Sequence, residues 1–188
     1  MTQWDAVTVV GVGLIGGSIG LALQRRGLAR RVIGVGRRES SLRRAQHLGV
    51  VTSTTTSLQT GVAQAELVVV ATPVETVVQR VQEAASYCPQ GTVITDAAST
   101  KQSIVEAIEC SACSDSFVGS HPMAGSEKTG PEFAHHGLFE ERLVVVTPTR
   151  KTPAQHTEVV ERFWKSLGAR TVRMNPAAHD EAVASASH

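Results

Sequence analysis

The feature that most narrows the fold is a glycine run set between two unlike kinds of sequence. Residues 6–10 (AVTVV) are apolar and β-branched, the composition of a buried strand. Ile15 to Arg26 has the composition and spacing of a helix, closed by Gly27. Joining them, Gly11-Val12-Gly13-Leu14-Ile15-Gly16 reads G-x-G-x-x-G. In a strand–turn–helix unit each glycine has its own physical task. Gly11 makes the tight turn, Gly13 lets a pyrophosphate approach the backbone, and Gly16 lets helix and strand pack closely. The helix start at Leu14 and Ile15 then offers unpaired N–H groups and a positive dipole end to phosphate. Gly11, Gly13, Leu14, Ile15 and Gly16 are therefore candidate cofactor-binding residues, for a dinucleotide.

The remaining chain repeats the alternation. Apolar runs at 31–35, 67–71, 92–95, 117–119, 143–147 and 170–174 are separated by helix-like stretches near 40–48, 74–86, 100–109 and 153–167. Strands alternating with helices imply right-handed crossovers, hence an α/β fold: a doubly wound, mostly parallel Rossmann-type sheet with helices on both faces. The length of 188 residues suits one such domain. We expect the dinucleotide-binding domain to occupy residues 1–175. From Pro176 a new helix begins and is still unfinished at His188, so residues 176–188 read as the start of a helix leading elsewhere.

Charge and composition exclude several function classes. Eighteen basic residues against 17 acidic ones, with no basic block, give a nucleic acid or an anionic membrane nothing to hold. Without a long apolar window or a signal-peptide pattern, the expectation is a soluble, cytoplasmic protein. The three cysteines are odd in number, and Cys110 and Cys113 form a solitary C-x-x-C with no second pair, so ordinary thiols are expected and no metal site.

The second strand of such a fold commonly ends in an acidic residue that holds the adenosine ribose. Here Val35-Gly36-Arg37-Arg38-Glu39 puts glycine there and two arginines directly after it. Guanidinium groups suit a 2′-phosphate, so NADP is the preferred cofactor and Arg37 and Arg38 its candidate ligands. The alternative keeps NAD possible, with Glu39 on the ribose and the arginines in solvent.

Open α/β sheets bind ligands at the carboxyl ends of their strands. Three segments follow apolar runs there: Thr72-Pro73-Val74, Asp96-Ala97-Ala98-Ser99-Thr100-Lys101, and His121-Pro122-Met123-Ala124-Gly125-Ser126-Glu127-Lys128-Thr129-Gly130. The last, small and polar around one histidine, has the character of a catalytic loop.

The ordered set GVGLIGGS, ATPVE, TDAASTK, GSHPMAGSEKTG, LFEERLVVVTP and HDEAVASASH resembles the prephenate/arogenate (cyclohexadienyl) dehydrogenase family of tyrosine biosynthesis across essentially the whole chain. HPMAGSEKTG is its most specific part. The resemblance implies oxidative decarboxylation: a cyclohexadienol gives a hydride to nicotinamide while the ring loses carbon dioxide and becomes aromatic. It makes His121 the catalytic base, a role imidazole fills near neutral pH. It makes Ser99 a partner near that histidine and the substrate hydroxyl, although Ser99 could equally cap the helix near Thr100. Ser126, Glu127 and His188 correspond to the substrate pocket, with simple turn roles open for Ser126 and Glu127. Thr72 and Pro73 correspond to the turn beside the nicotinamide ribose. Lys101 could equally be a solvated helix residue, and His135 and His136 read as surface residues.

His179 and Asp180 correspond to the start of the family's linking helix. The resemblance further implies a C-terminal helical domain that forms a homodimer and supplies an arginine for a substrate carboxylate, so these residues alone are expected to turn over poorly. Two other readings remain. One is a different Rossmann oxidoreductase, of the β-hydroxyacid dehydrogenase or imine reductase type, which would use a lysine from a later helix. The other is a non-catalytic nucleotide sensor indifferent to the His121 loop.

Overall fold

A computed structural model describes residues 3–125 and 127–186. The elements run β1 (Trp4–Val10), α1 (Leu14–Arg25), β2 (Ala29–Val35), α2 (Glu39–His47), β3 (Ser53–Thr55), α3 (Leu58–Val62), β4 (Leu67–Val70), α4 (Val74–Tyr87), β5 (Val93–Asp96), α5 (Gln102–Glu109), β6 (Phe117–Pro122), β7 (Leu143–Thr147), α6 (Ala154–Ser166), β8 (Arg170–Arg173) and α7 (Pro176–Ala186). A 3-10 turn at Pro131–Phe133 lies between β6 and β7.

The eight strands make one sheet in the order β3-β2-β1-β4-β5-β6-β7-β8. From β1 the chain first builds toward β3 and then restarts on the other side with β4. That reversal leaves a crevice beyond the carboxyl ends of β1 and β4, where doubly wound sheets take their ligands. Pairing is parallel except between β6 and β7. The segment joining those two strands holds no crossover helix, and an antiparallel neighbour needs none.

Strand periodicity assigns the two cores. In β1, Val7 and Val9 point to the face covered by Ile19 and Leu23 of α1 and Phe163 and Trp164 of α6. Val10 of β1 and Val68 and Val70 of β4 point to the other face, against Val77 and Val81 of α4 and Ile104 and Ile108 of α5. Both faces are therefore apolar, as a parallel sheet requires.

Three sequence expectations change. The stretch between α2 and β4 holds β3 and α3, too short to show a period; Ser57 opens α3 by accepting from the Thr60 N–H at 3.2 Å. The run at 117–119 extends to Pro122, because pairing of His121 with Val145 and Pro122 with Val144 continues the strand. His121 thus stands on a strand end and not in a loop. The helix near 100–109 begins at Gln102, and Lys101 before it is fully buried instead of solvated.

Lys101 is buried because it has a partner. Its ammonium pairs with the equally buried Asp96 at the end of β5 and donates to the Ser120 carbonyl at 3.0 Å. The other Asp96 oxygen accepts from the Ser120 N–H at 3.0 Å. A lone buried charge would cost several kcal/mol, whereas a pair with its remaining hydrogen bonds met is tolerated. Asp96→Ala is expected to lower unfolding free energy by about 3–5 kcal/mol, and Lys101→Met added to it should restore most of that loss. Urea denaturation of the two variants checks this, and a single variant within about 1 kcal/mol of the parent would contradict it.

Candidate active site

The glycine turn forms the cradle expected of it. Gly11 adopts a φ of 94°, and a Cβ there would stand 2.6 Å from the Ala71 carbonyl oxygen. A Cβ on Gly16 would collide with the Gly11 carbonyl oxygen. Around Gly13, by contrast, the space within 4 Å of an added Cβ is open. Two glycines are thus required by packing, and the third opens onto the crevice where a pyrophosphate would lie. The first bond of α1 runs from the Gly17 N–H to the Gly13 carbonyl at 2.8 Å, so the N–H groups of Leu14, Ile15 and Gly16 have no helical acceptor. The Leu14 side chain is buried, leaving its backbone as the part available to phosphate.

A cleft of about 660 Å³ extends from this turn, and Gly11, Gly13, Arg37, Arg38, Thr72 and Pro73 all line it. That size is within the usual range for ligand sites, about 300–1,000 Å³. Arg37 and Arg38 are exposed on its wall. Glu39, the alternative ribose ligand, opens α2 facing Arg43 at 3.4 Å and is not part of the lining. Two further arginines that sequence reasoning passed over, Arg44 and Arg80, also reach the cleft, each beside a glutamate.

His121 itself is not among the residues lining that cleft, but the loop that follows it reaches the glycine turn: the Ile15 side chain is 3.6 Å from where a Cβ on Gly125 would be, which ties the loop after β6 to the start of α1. The histidine is half-buried, and its Nδ1 is 2.8 Å from Nε2 of His179 on α7, with the rings edge-on at 77°. His179 Nδ1 is in turn 2.7 Å from Asp180 Oδ1. Asp180 also accepts the backbone N–H groups of Lys101 at 2.8 Å and Gln102 at 3.0 Å, at the start of α5. The helix from Pro176 is therefore docked on this domain and carries part of the site. Its HD pair at a helix start was the sequence signal, and only the fold shows which histidine it meets.

The other expected residues fall out differently. Ser99 is exposed in the β5–α5 turn; it neither caps α5, whose start is held by Asp180, nor bonds His121 among the described residues. Glu127 is exposed, as are His135 and His136. Ser126 and His188 lie outside the described residues.

Electrostatics keep His121 uncharged. Burial, then the neighbouring His179 and the Lys101 ammonium, push its pKa down to about 4 against the opposing pull of Asp180. Burial works against the Asp180 carboxylate, but the Gln102 and Lys101 N–H groups and His179 outweigh it and hold the pKa below the ordinary value. The site thus presents a neutral imidazole, capable of accepting a proton, on a strand end whose following loop reaches the glycine turn.

Such a cradle at the switch point of a doubly wound sheet defines the class, a Rossmann-type dinucleotide-binding domain. Residues 19–173 match the family described as prephenate dehydrogenase, nucleotide-binding domain, and the chain belongs to that family. It is 38% identical over 186 residues to the prephenate dehydrogenase of Bacillus subtilis (strain 168), covering 98% of this chain and 50% of that protein. The prephenate dehydrogenase of Aquifex aeolicus, solved with hydroxyphenyl propionate and NAD+, superposes with a TM-score of 0.89 at 31% identity, over 95% of this chain and 62% of that one. Synechocystis arogenate dehydrogenase superposes at 0.88 and 31% identity, over 97% and 64%. The chain spans about half the length of the Bacillus relative and under two thirds of each solved one.

A histidine with its pKa near 4 stays neutral as pH falls through the ordinary imidazole range. In an NMR titration the His121 ring is expected to hold its neutral chemical shifts down to pH 5 and to change only near 4. A midpoint near 6.5 would contradict the placement of Lys101 and His179 around it.

Proposed function

We propose that this domain serves a dehydrogenase that oxidatively decarboxylates prephenate to 4-hydroxyphenylpyruvate, or arogenate to tyrosine. The observation that carries this reading is the neutral His121 at the end of β6, with the loop that follows it meeting the helix start after the glycine turn, in a chain of the prephenate dehydrogenase family. The cofactor fits the residues present. The N–H groups at the start of α1 would hold the pyrophosphate, Thr72 and Pro73 would border the nicotinamide ribose, and Arg37 and Arg38 would take a 2′-phosphate. When bound, the nicotinamide supplies the hydride acceptor.

The protein's own task is to orient the substrate and to hold one proton. His121 accepts the carbinol hydroxyl proton as the adjacent C–H bond breaks. Once the ring carboxylate leaves as carbon dioxide and its bonding pair completes the aromatic ring, His121 returns that proton to the phenolic oxygen. The proton is lent and restored, so the residue needs a neutral resting state and a fixed direction. Ser99, exposed beyond β5, is available to the substrate hydroxyl, and Ser126, Glu127 and His188 are assigned to the pocket by family resemblance. The rest of the pocket, including a cation for the substrate carboxylate and the homodimer contact, is assigned to the further length that the relatives carry.

Lys101 speaks against the other oxidoreductase types, which need a lysine reaching the substrate: its ammonium is buried and committed to Asp96 and Ser120. The Gly36-Arg37-Arg38 wall favours NADP over NAD.

Two measurements on the complete protein test the reading. His121→Asn is expected to lower kcat with prephenate or arogenate by about 100- to 10,000-fold while cofactor affinity is unchanged. Retained turnover would remove His121 from the base role, and indifference of a native activity to the change would favour a nucleotide sensor. Calorimetric titration should show tighter NADP+ than NAD+ binding, with Arg37→Ala or Arg38→Ala costing NADP+ about 10- to 100-fold. Tighter NAD+ binding would overturn the preference.

A further inference from the structure

Resting on His121 as the base, we propose that Asp180 and His179 are positioning residues that decide which nitrogen of His121 carries its proton, leaving Nε2 as the basic atom. The direction starts in the backbone. At the start of α5 the Lys101 and Gln102 N–H groups donate to Asp180 Oδ1 and Oδ2, at 2.8 and 3.0 Å. An amide N–H can only donate, so both Asp180 oxygens are held as acceptors, and an ionised carboxylate has nothing to donate. His179 Nδ1, 2.7 Å from Oδ1, must therefore carry a hydrogen. With His179 neutral, its Nε2 then holds a lone pair. His121 Nδ1, 2.8 Å away, must in turn donate to it, and the lone pair of His121 falls on Nε2. Among the described residues Nε2 has no hydrogen-bond partner.

Imidazole in water favours the opposite tautomer, with the proton on Nε2. Left alone, His121 would present an N–H to a substrate hydroxyl and could not take its proton. The charged or titratable groups around His121 are His179, Lys101 and Asp180, and beyond Lys101 the carboxylate of Asp96. Lys101 is occupied by Asp96 and the Ser120 carbonyl, which leaves the relay through His179 to set the tautomer. Asp180 and His179 lie on α7, while the amides that polarise them lie at the start of α5, so docking of α7 itself completes the base.

Nitrogen-15 NMR of the imidazoles in the complete protein reads the tautomer directly. The parent is expected to show His121 protonated at Nδ1 and bare at Nε2. Asp180→Asn can turn an amide N–H toward His179 and reverse the relay, moving the proton to Nε2 and lowering kcat at least about 100-fold. His179→Phe should lower kcat about 10- to 100-fold with little change in KM, His179→Gln should recover a large part by offering a carbonyl acceptor, and neither should cost more in a His121→Asn background. A parent His121 protonated at Nε2 overturns the relay even where every variant misfolds. Undiminished kcat in His179→Phe, or a loss that persists in the His121→Asn background, overturns it as well. Full turnover in His121→Asn alone defeats the base assignment and leaves the tautomer measurement standing.

Discussion

The buried ion pair between Asp96 and Lys101 is the interaction on which the site depends. Both side chains are fully removed from water, so each needs the other, and the pair can form only where the end of β5 meets the start of α5. Around it the fold closes every remaining bond. Ser120 donates its N–H to Asp96 and offers its carbonyl to Lys101. The Ser120 hydroxyl meets Thr95 and the Trp164 indole, both at 2.9 Å. Charges in a low-dielectric interior punish misalignment, so this knot fixes the strand that carries His121 one residue later. It also acts on the proposed base electrostatically, since the Lys101 ammonium helps keep the imidazole uncharged.

Two kinds of rigidity then divide the work. The cofactor cradle is mostly backbone: the glycine turn is pressed against the turn after β4 and against itself, so it is shaped before any ligand arrives. The proposed base is a side chain, held by a strand end paired to β7 and by a helix from the far end of the chain. Placing the histidine on the sheet suits a base that must lend a proton and recover it from the same oxygen. A shift of about 1 Å in such a group can cost two orders of magnitude in rate.

Legibility in the sequence followed the range of the interactions. The strand–glycine–helix unit and the alternating elements were readable because hydrophobic period and turn chemistry are local. The apolar runs marked every long strand, and the strand ends pointed to the cleft residues Arg37, Arg38, Thr72 and Pro73, the last two given a cofactor role only by the family resemblance. What stayed hidden was non-local. β3 and α3 are too short to display a period, and their place is set by pairing with β2. Lys101 reads as a helix-surface cation until Asp96 is brought beneath it. His121 reads as a loop residue because its strand is prolonged by an antiparallel partner, and partners are invisible in one sequence. His179 and Asp180 could be matched to a linking helix, but their meeting with His121 spans 58 residues of chain.

The most direct test of the central claim is a crystal structure of the complete protein with the oxidised cofactor and a hydroxyphenyl product analogue. The glycine turn is expected to face the pyrophosphate, and His121 Nε2 to lie about 2.6–3.2 Å from the phenolic oxygen, with Nδ1 still on His179. A hydroxyl held by another group, with His121 turned away from it, would contradict the assignment of this histidine as the base.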